Sequence, residues 1–305
     1  MTTACSRPHQ ARPGFLEAAR CVRRRLLLAA LVFGAEPSGA AELTFQGSFA
    51  TTGLVPAFLG HFFDPDGVAH DPVTGNLFLI DSFEPRVVQV TPSGAFVSTF
   101  APLVPGSAEG IDVLPSGNLA VCEETMTTLS HYTQAGGFVG SISLLAGAPS
   151  PTGVAFDPTT GHYFVSDDEG GAPSIRRVDA TGALLASIPT PPFGTFEPEG
   201  VDFDPASGHL FFVSDDTAGL YRITTAGALV DSWNLATIGG LQDPEGVAYD
   251  GSTATVWVAS DGDAQVGRFT VPEPAGPTLA TAAAASLLFL SAASSPRRGR
   301  ARPRA

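Results

Sequence analysis

There is no lysine anywhere in this 305-residue chain; all 16 basic side chains are arginine. Between residues 42 and 271 even arginine is scarce, with 5 against 27 Asp and Glu, a balance of −22. So acidic a body repels nucleic acid and anionic lipid and attracts cations. Cysteine is nearly missing too. Cys5 and Cys21 lie in a leader-like segment, which leaves Cys122 alone and excludes a disulfide within the body. Neither of the two apolar runs, residues 26–33 and 278–293, reaches the roughly 20 residues of a full membrane span. Familiar catalytic loops are absent as well. Ser166, Ser214 and Ser260 precede Asp, but no G-x-S-x-G elbow surrounds them. No Walker loop, dinucleotide loop or H-x-x-x-H metal spacing occurs. Disorder is not the expectation, because apolar residues make up 44% and charged residues only 15%.

What the chain does contain is repetition. Residues 198–222 read P-E-G-V-D-F-D-P-A-S-G-H-L-F-F-V-S-D-D-T-A-G-L-Y-R, and versions of this stretch occur five times. The opening glycines are Gly67, Gly110, Gly153, Gly200 and Gly246, spaced 43, 43, 47 and 46 residues apart. Each is followed by a short apolar strand, a Pro or Gly turn, a second apolar strand and an acidic end. A period in the forties built of short strands predicts a β-propeller with one blade per repeat. Blade five lacks a fourth strand. The unit Phe45-Gln46-Gly47-Ser48-Phe49 matches that position, most closely Phe138-Val139-Gly140-Ser141-Ile142. The expected fold is therefore all-β: a five-bladed propeller over residues 42–271, closed by an N-terminal strand. Six blades would need an extra degenerate repeat, and no segment is long enough for one.

The ends read as addresses. Arg23-Arg24-Arg25, an apolar run and a small-residue stretch ending at Ala40-Ala41 make the pattern of a secretory signal over residues 1–41. Residues 1–21 form a long basic region, and the expected start lies near Val22. At the other end, Pro272-Glu273-Pro274 precedes the apolar run and the cluster Arg297-Arg298-Gly299-Arg300. This tail, residues 272–305, resembles the PEP-CTERM sorting signal. The resemblance implies a transient membrane anchor, with its arginines held on the cytoplasmic side, and processing by an exosortase-type enzyme. It implies export and a cell-surface or extracellular location. The alternative is a plain C-terminal anchor.

The candidate chemistry is acidic. The motif [DE]-P-[DE]-G stands before three of the repeat glycines, and Glu109 precedes a fourth. Innermost strands begin beside a propeller's axis, so Asp66, Glu109, Glu199 and Glu245 should ring one end of the channel, with Thr152 in the gap. Crowded carboxylates raise one another's pKa unless a cation sits among them. Hard oxygen donors suit Ca²⁺. A second acidic set, Asp81, Glu123, Asp167, Asp215 and Asp261, ends the second strands and should crowd the same face. The competing reading gives both sets to strand caps and solvated loops. No catalytic residue stands out; among the six histidines only His70, in a first strand, is placed to act as a general base.

The pattern E-G-V-x-x-D-P-x-S-G with V-S-D-D and L-Y-R-I after it resembles extracytoplasmic propellers of the NHL and gluconolactonase/regucalcin type. It is also similar to the SdiA-regulated and phytase-like esterase group. The gluconolactonase resemblance implies an axial divalent metal, with Glu109, Glu199 or Glu245 matching its glutamate. No axial asparagine matches, since Asn76 and Asn118 fall in turns and Asn234 in a connection. Phosphate work would need more arginine than the body holds. The leading expectation is a monomeric binding or scaffold module, Ca²⁺-stabilised, that engages extracellular polysaccharide or a surface protein. The alternative is a metal-dependent lactonase or esterase acting at the axial ring.

Overall fold

A computed structural model describes residues 42–83, 86–101, 108–168 and 172–273. The leader, Pro274 and the tail beyond it lie outside these residues. Among the described residues no helix is long and apolar enough to cross a membrane.

The first strand, β1 (Thr44–Ala50), belongs to the last blade. Blade one is β2 (Gly67–His70), β3 (Leu77–Ile80), β4 (Val87–Val90) and β5 (Phe96–Phe100). Blade two is β6 (Ala108–Val113), β7 (Leu119–Glu123), β8 (Thr128–Tyr132) and β9 (Phe138–Ser143). Blade three is β10 (Pro151–Asp157), β11 (His162–Asp167), β12 (Ser174–Val178) and β13 (Leu184–Pro189). Blade four is β14 (Pro198–Asp204), β15 (His209–Ser214), β16 (Gly219–Thr224) and β17 (Leu229–Asn234). Blade five is β18 (Pro244–Asp250), β19 (Thr255–Ser260) and β20 (Gln265–Thr270), completed by β1 in antiparallel register, Phe45 opposite Phe269 and Phe49 opposite Val266. The five-bladed ring with its N-terminal closing strand is thus the observed architecture.

Each blade is a hairpin meander, and in every blade but the second one carboxylate sets the first turn; blade two turns at Leu114–Asn118 on backbone bonds and the Ser116 hydroxyl. Asp71, Asp157, Asp204 and Asp250 each accept a backbone N–H two residues on. Each also accepts a hydroxyl three residues on, from Thr74, Thr160, Ser207 and Thr253. These are Asx turns, the reason the Asp-Pro-x-Ser/Thr-Gly signature recurs in blades one, three and four. Those hydrogen bonds hold Asp71, Asp157 and Asp250 below the usual carboxylate range, against the opposing effect of burial.

The core is five clusters, one per blade interface. The cluster joining the last blade to the first holds Trp257, Ala259 and Val266 against Val68, Leu77, Leu79 and Val88. Aromatic pairs recur across the seams: Phe203 on Phe164, Tyr249 on Phe211 and His70 on Trp257. Two short helical turns fall outside the repeat, Pro191–Phe193 and α1 (Leu235–Ile238), the latter capped by the Asn234 side chain.

Candidate functional site

The opening glycines converge on the axis. A Cβ on Gly110 would lie 2.6 Å from Gly153 Cα; one on Gly153 would lie 2.5 Å from Glu199 O. One on Gly200 would lie 2.7 Å from Glu245 O, and one on Gly246 2.7 Å from Asp66 O. Backbone packs on backbone around the ring, which only a residue without Cβ allows. The cavity left inside, lined by these glycines, Glu109 and the following Val or Ile residues, is about 10 Å³, room for about one water. No larger molecule threads this axis, so chemistry there belongs to its mouth.

At that mouth stand the residues that precede the glycines. Asp66 is buried, while Glu109, Glu199 and Glu245 are half-buried. Burial is the leading cause that lifts their pKa values: Asp66 to about 8, Glu109 to about 9, Glu199 to about 8 and Glu245 to about 10. Mutual repulsion follows. Glu109 feels Asp66 and Glu199, and Glu245 feels Glu199 and Asp66. The four are therefore electrostatic neighbours on one face. Thr152 fills the fifth place and donates its hydroxyl to Pro198 O at 2.8 Å.

The second acidic set divides into two registers. Glu123 and Asp167 pair across the hairpin with Ala108 and Pro151, and Asp81 follows Ile80 in the same way. Asp215 and Asp261 come one residue later, after Ser214 and Ser260, which pair with Pro198 and Pro244. A step of one residue turns a strand side chain to the other face. The later register, Glu124, Asp168, Asp215 and Asp261, faces the three axial glutamates, while Asp66 feels Asp81 as well as Asp261. Glu124 and Asp168 act on Glu109, Asp168 and Asp215 on Glu199, and Asp215 and Asp261 on Glu245.

The earlier register performs structural work. Asp81 accepts the Asp64 N–H at 2.7 Å and the Phe83 N–H at 2.8 Å. Asp167 accepts the Ser150 N–H at 3.0 Å and pairs with Arg176 at 2.7 Å. Glu123 takes the hydroxyls of Thr128 and Ser130. Blades four and five use Asp216 and Asp263 to clamp the N–H groups of Phe196 and Gln242. Asp81, Asp167, Asp216 and Asp263 thus tether the loops that enter the inner strands, while Glu123 ties β7 to β8.

Further carboxyls line the mouth. Asp64 is raised to about 7 by burial and then by Asp261 and Asp81. Asp215 is raised to about 6 by burial and then by a hydrogen bond with Glu197. One oxygen each of Asp64, Asp168 and Asp215 is buried without a partner. The donor set is all hard oxygen, right in kind for a hard cation. Among the described residues, no three His, Cys, Asp or Glu side chains stand in metal-holding geometry. The group is thus a charged cage rather than a closed coordination sphere.

Sequence reasoning overlooked Asp112 and Asp202. They stand two residues after their glycines, where blades one, three and five have Ala69, Ala155 and Ala248. Asp112 accepts the Phe156 N–H at 2.7 Å and Asp202 the Tyr249 N–H at 2.5 Å, each bridging to the next blade. That alternation at one repeat position was the available signal. His70 lies at the far end of β2 from Asp66, stacked on Trp257 at 5.0 Å. Burial lowers its pKa. Cys122 is free and buried, and its Sγ accepts the Gly110 N–H at 3.1 Å.

Fold and site together define a five-bladed β-propeller with a carboxylate-lined axial mouth. No protein-family model matches the chain, and no curated protein matches it. Among solved structures, a luciferin-regenerating enzyme superposes with TM-score 0.50 at 15% identity, over 76% of this chain and 98% of that one. A streptogramin B lyase gives TM-score 0.43 at 18% identity, and virginiamycin B lyase from Staphylococcus aureus 0.43 at 20%. Each of those covers 68% of this chain, which spans 65% and 66% of their lengths. The likeness is one of fold.

Proposed function

We propose that this protein is an exported, surface-sorted binding module whose acidic mouth holds a hydrated divalent cation, Ca²⁺ by preference. The observation that carries the reading is the cage itself. Four inner-strand carboxylates and four flanking ones share one face, and the strongest charges acting on Glu109, Glu199 and Glu245 are all negative. Such a group is neutralised either by protons or by a cation. With no closed coordination sphere among the described residues, the ion binds through its own waters. The leader and the Pro-Glu-Pro tail support export, transient anchoring and processing by an exosortase-type enzyme. The partner fitting that address is extracellular polysaccharide or another surface protein.

Protons and cation compete for the same oxygens, and this gives the test. At about pH 8.5, Ca²⁺ should raise the melting temperature relative to EDTA; at about pH 5.5 the protonated cage should respond far less. Glu199→Gln and Glu245→Gln should each shrink the shift. Absence of a shift with any divalent ion at the higher pH would overturn the cation site. Metal-dependent turnover of a lactone or phosphoester, abolished by Glu199→Gln, would replace the binding reading with a hydrolase.

A further inference from the structure

On the face opposite the carboxylate mouth, the seam between blades five and one opens into a cavity of about 360 Å³. That size falls within the range of small-ligand pockets. Gln46, His70, Thr255, Trp257, Arg268 and Thr270 are among its lining residues.

This seam departs from the repeat at two places. Every outer strand carries one bulge at the same point of its ladder. The extra residue is Val97, Val139, Leu185 or Val230 in blades one to four. In blade five it is Gln46, inserted between the pairs Phe45–Phe269 and Gly47–Arg268. Bulges re-aim side chains, and here the re-aimed group is an exposed amide.

The second departure is Arg268. Blades three and four have Arg177 and Arg222 at its position in the third strand. Arg177 is held by Asp157 at 3.3 Å, and Arg222 is held by Asp231. Arg268 is exposed and makes no ion pair among the described residues. In a body of −22 charge, an arginine facing a cavity without a carboxylate partner is unusual. Asp250 also lines the cavity, but its oxygens are engaged by Ser252 and Thr253. It lies across from Thr255, two residues along β19 from the Trp257 that opposes Arg268. The wall also holds a buried, unpartnered donor, Trp257 Nε1.

The geometry points to a binding site for a small hydroxylated monoanion, of the class of sugar acids. The Arg268 fork takes the carboxylate. The Gln46 amide and the Thr255 and Thr270 hydroxyls meet ligand hydroxyls. Polyanions are disfavoured, because one guanidinium cannot offset the surrounding acidic field. The site is independent of the cation cage.

The test is titration calorimetry on the whole protein in EDTA, so that failure of the cation reading cannot affect it. The probes are glucuronate, galacturonate and gluconate, with glucose and acetate as comparators. At least one sugar acid should saturate, binding about tenfold or more tightly than either comparator. Arg268→Gln should weaken it by about tenfold or more, as expected for loss of a charge-assisted bond. Gln46→Val, which restores the residue type of the other blades, should weaken it several-fold. Both side chains are exposed, so both variants should melt as the parent does. Failure of all three acids to saturate, equal affinity for glucose, or an Arg268→Gln variant that binds as the parent does would each overturn the assignment.

Discussion

At the scale of single residues, the axis is governed by what glycine lacks. A Cβ on Gly200 would lie 2.7 Å from Glu245 O, Gly246 Cα and Val247 N, all backbone atoms that cannot rotate away. Gly200→Ala should therefore cost about 1–3 kcal/mol or more by overpacking, measured by denaturant unfolding. Unchanged stability would mean that the inner strands do not pack backbone to backbone. The carboxylates beside these glycines differ in role by one step of register. Asp216 receives the hydroxyls of Thr195 and Ser214 and the Phe196 N–H. Its pKa is lowered by these bonds against the opposing effect of burial. Asp215, its neighbour, is raised. Adjacent acids in the turn that follows β15 thus divide into a loop clamp and a cage wall according to the hydrogen bonds each receives.

At the scale of elements, β1 decides whether the ring exists. It pairs with β20 along its length and brings Leu43 into the cluster between blades four and five. Phe49 packs on the seam with blade one and lies against Gly94, where a Cβ would sit 2.4 Å from its ring. A strand near one end of the body thereby closes contacts with both its neighbours. Leu43→Ala should cost about 2–5 kcal/mol despite its terminal position, read from chemical unfolding; a cost below ~0.5 kcal/mol would show that the closing segment carries little stability. The repeat pattern made the pairing legible: four outer strands had a fourth-strand match within their blades, and only residues 45–49 could supply the fifth. The end turns of the strands were equally legible, because Asx chemistry is local. The helical turn Leu235–Ile238 was not. It lies in a connection outside the repeat, where no period announces it.

At the scale of the whole molecule, two acidic populations pull stability in opposite directions with pH. The cage acids have folded pKa values raised above their unfolded ones, so the native state holds extra protons above the ordinary carboxylate range. Their contribution favours folding at low pH and is lost as pH rises through about 8 to about 10. The Asx-turn acids are lowered, so their contribution is present above the ordinary range and lost on acidification. In EDTA the melting temperature should peak in mildly acid solution and fall towards pH 9. A flat profile above about pH 6 would contradict the buried cage. The repeat period determined the blade count, the closure and the face on which the acids gather, because each follows from local strand, turn and spacing chemistry. Tertiary structure alone decided which of the second-strand acids face the axis, that the pore is too narrow to thread, and that Gln46 and Arg268 line one cavity beside the last seam. Those depend on bulge register and on distances between blades, and such non-local packing leaves no mark on a period.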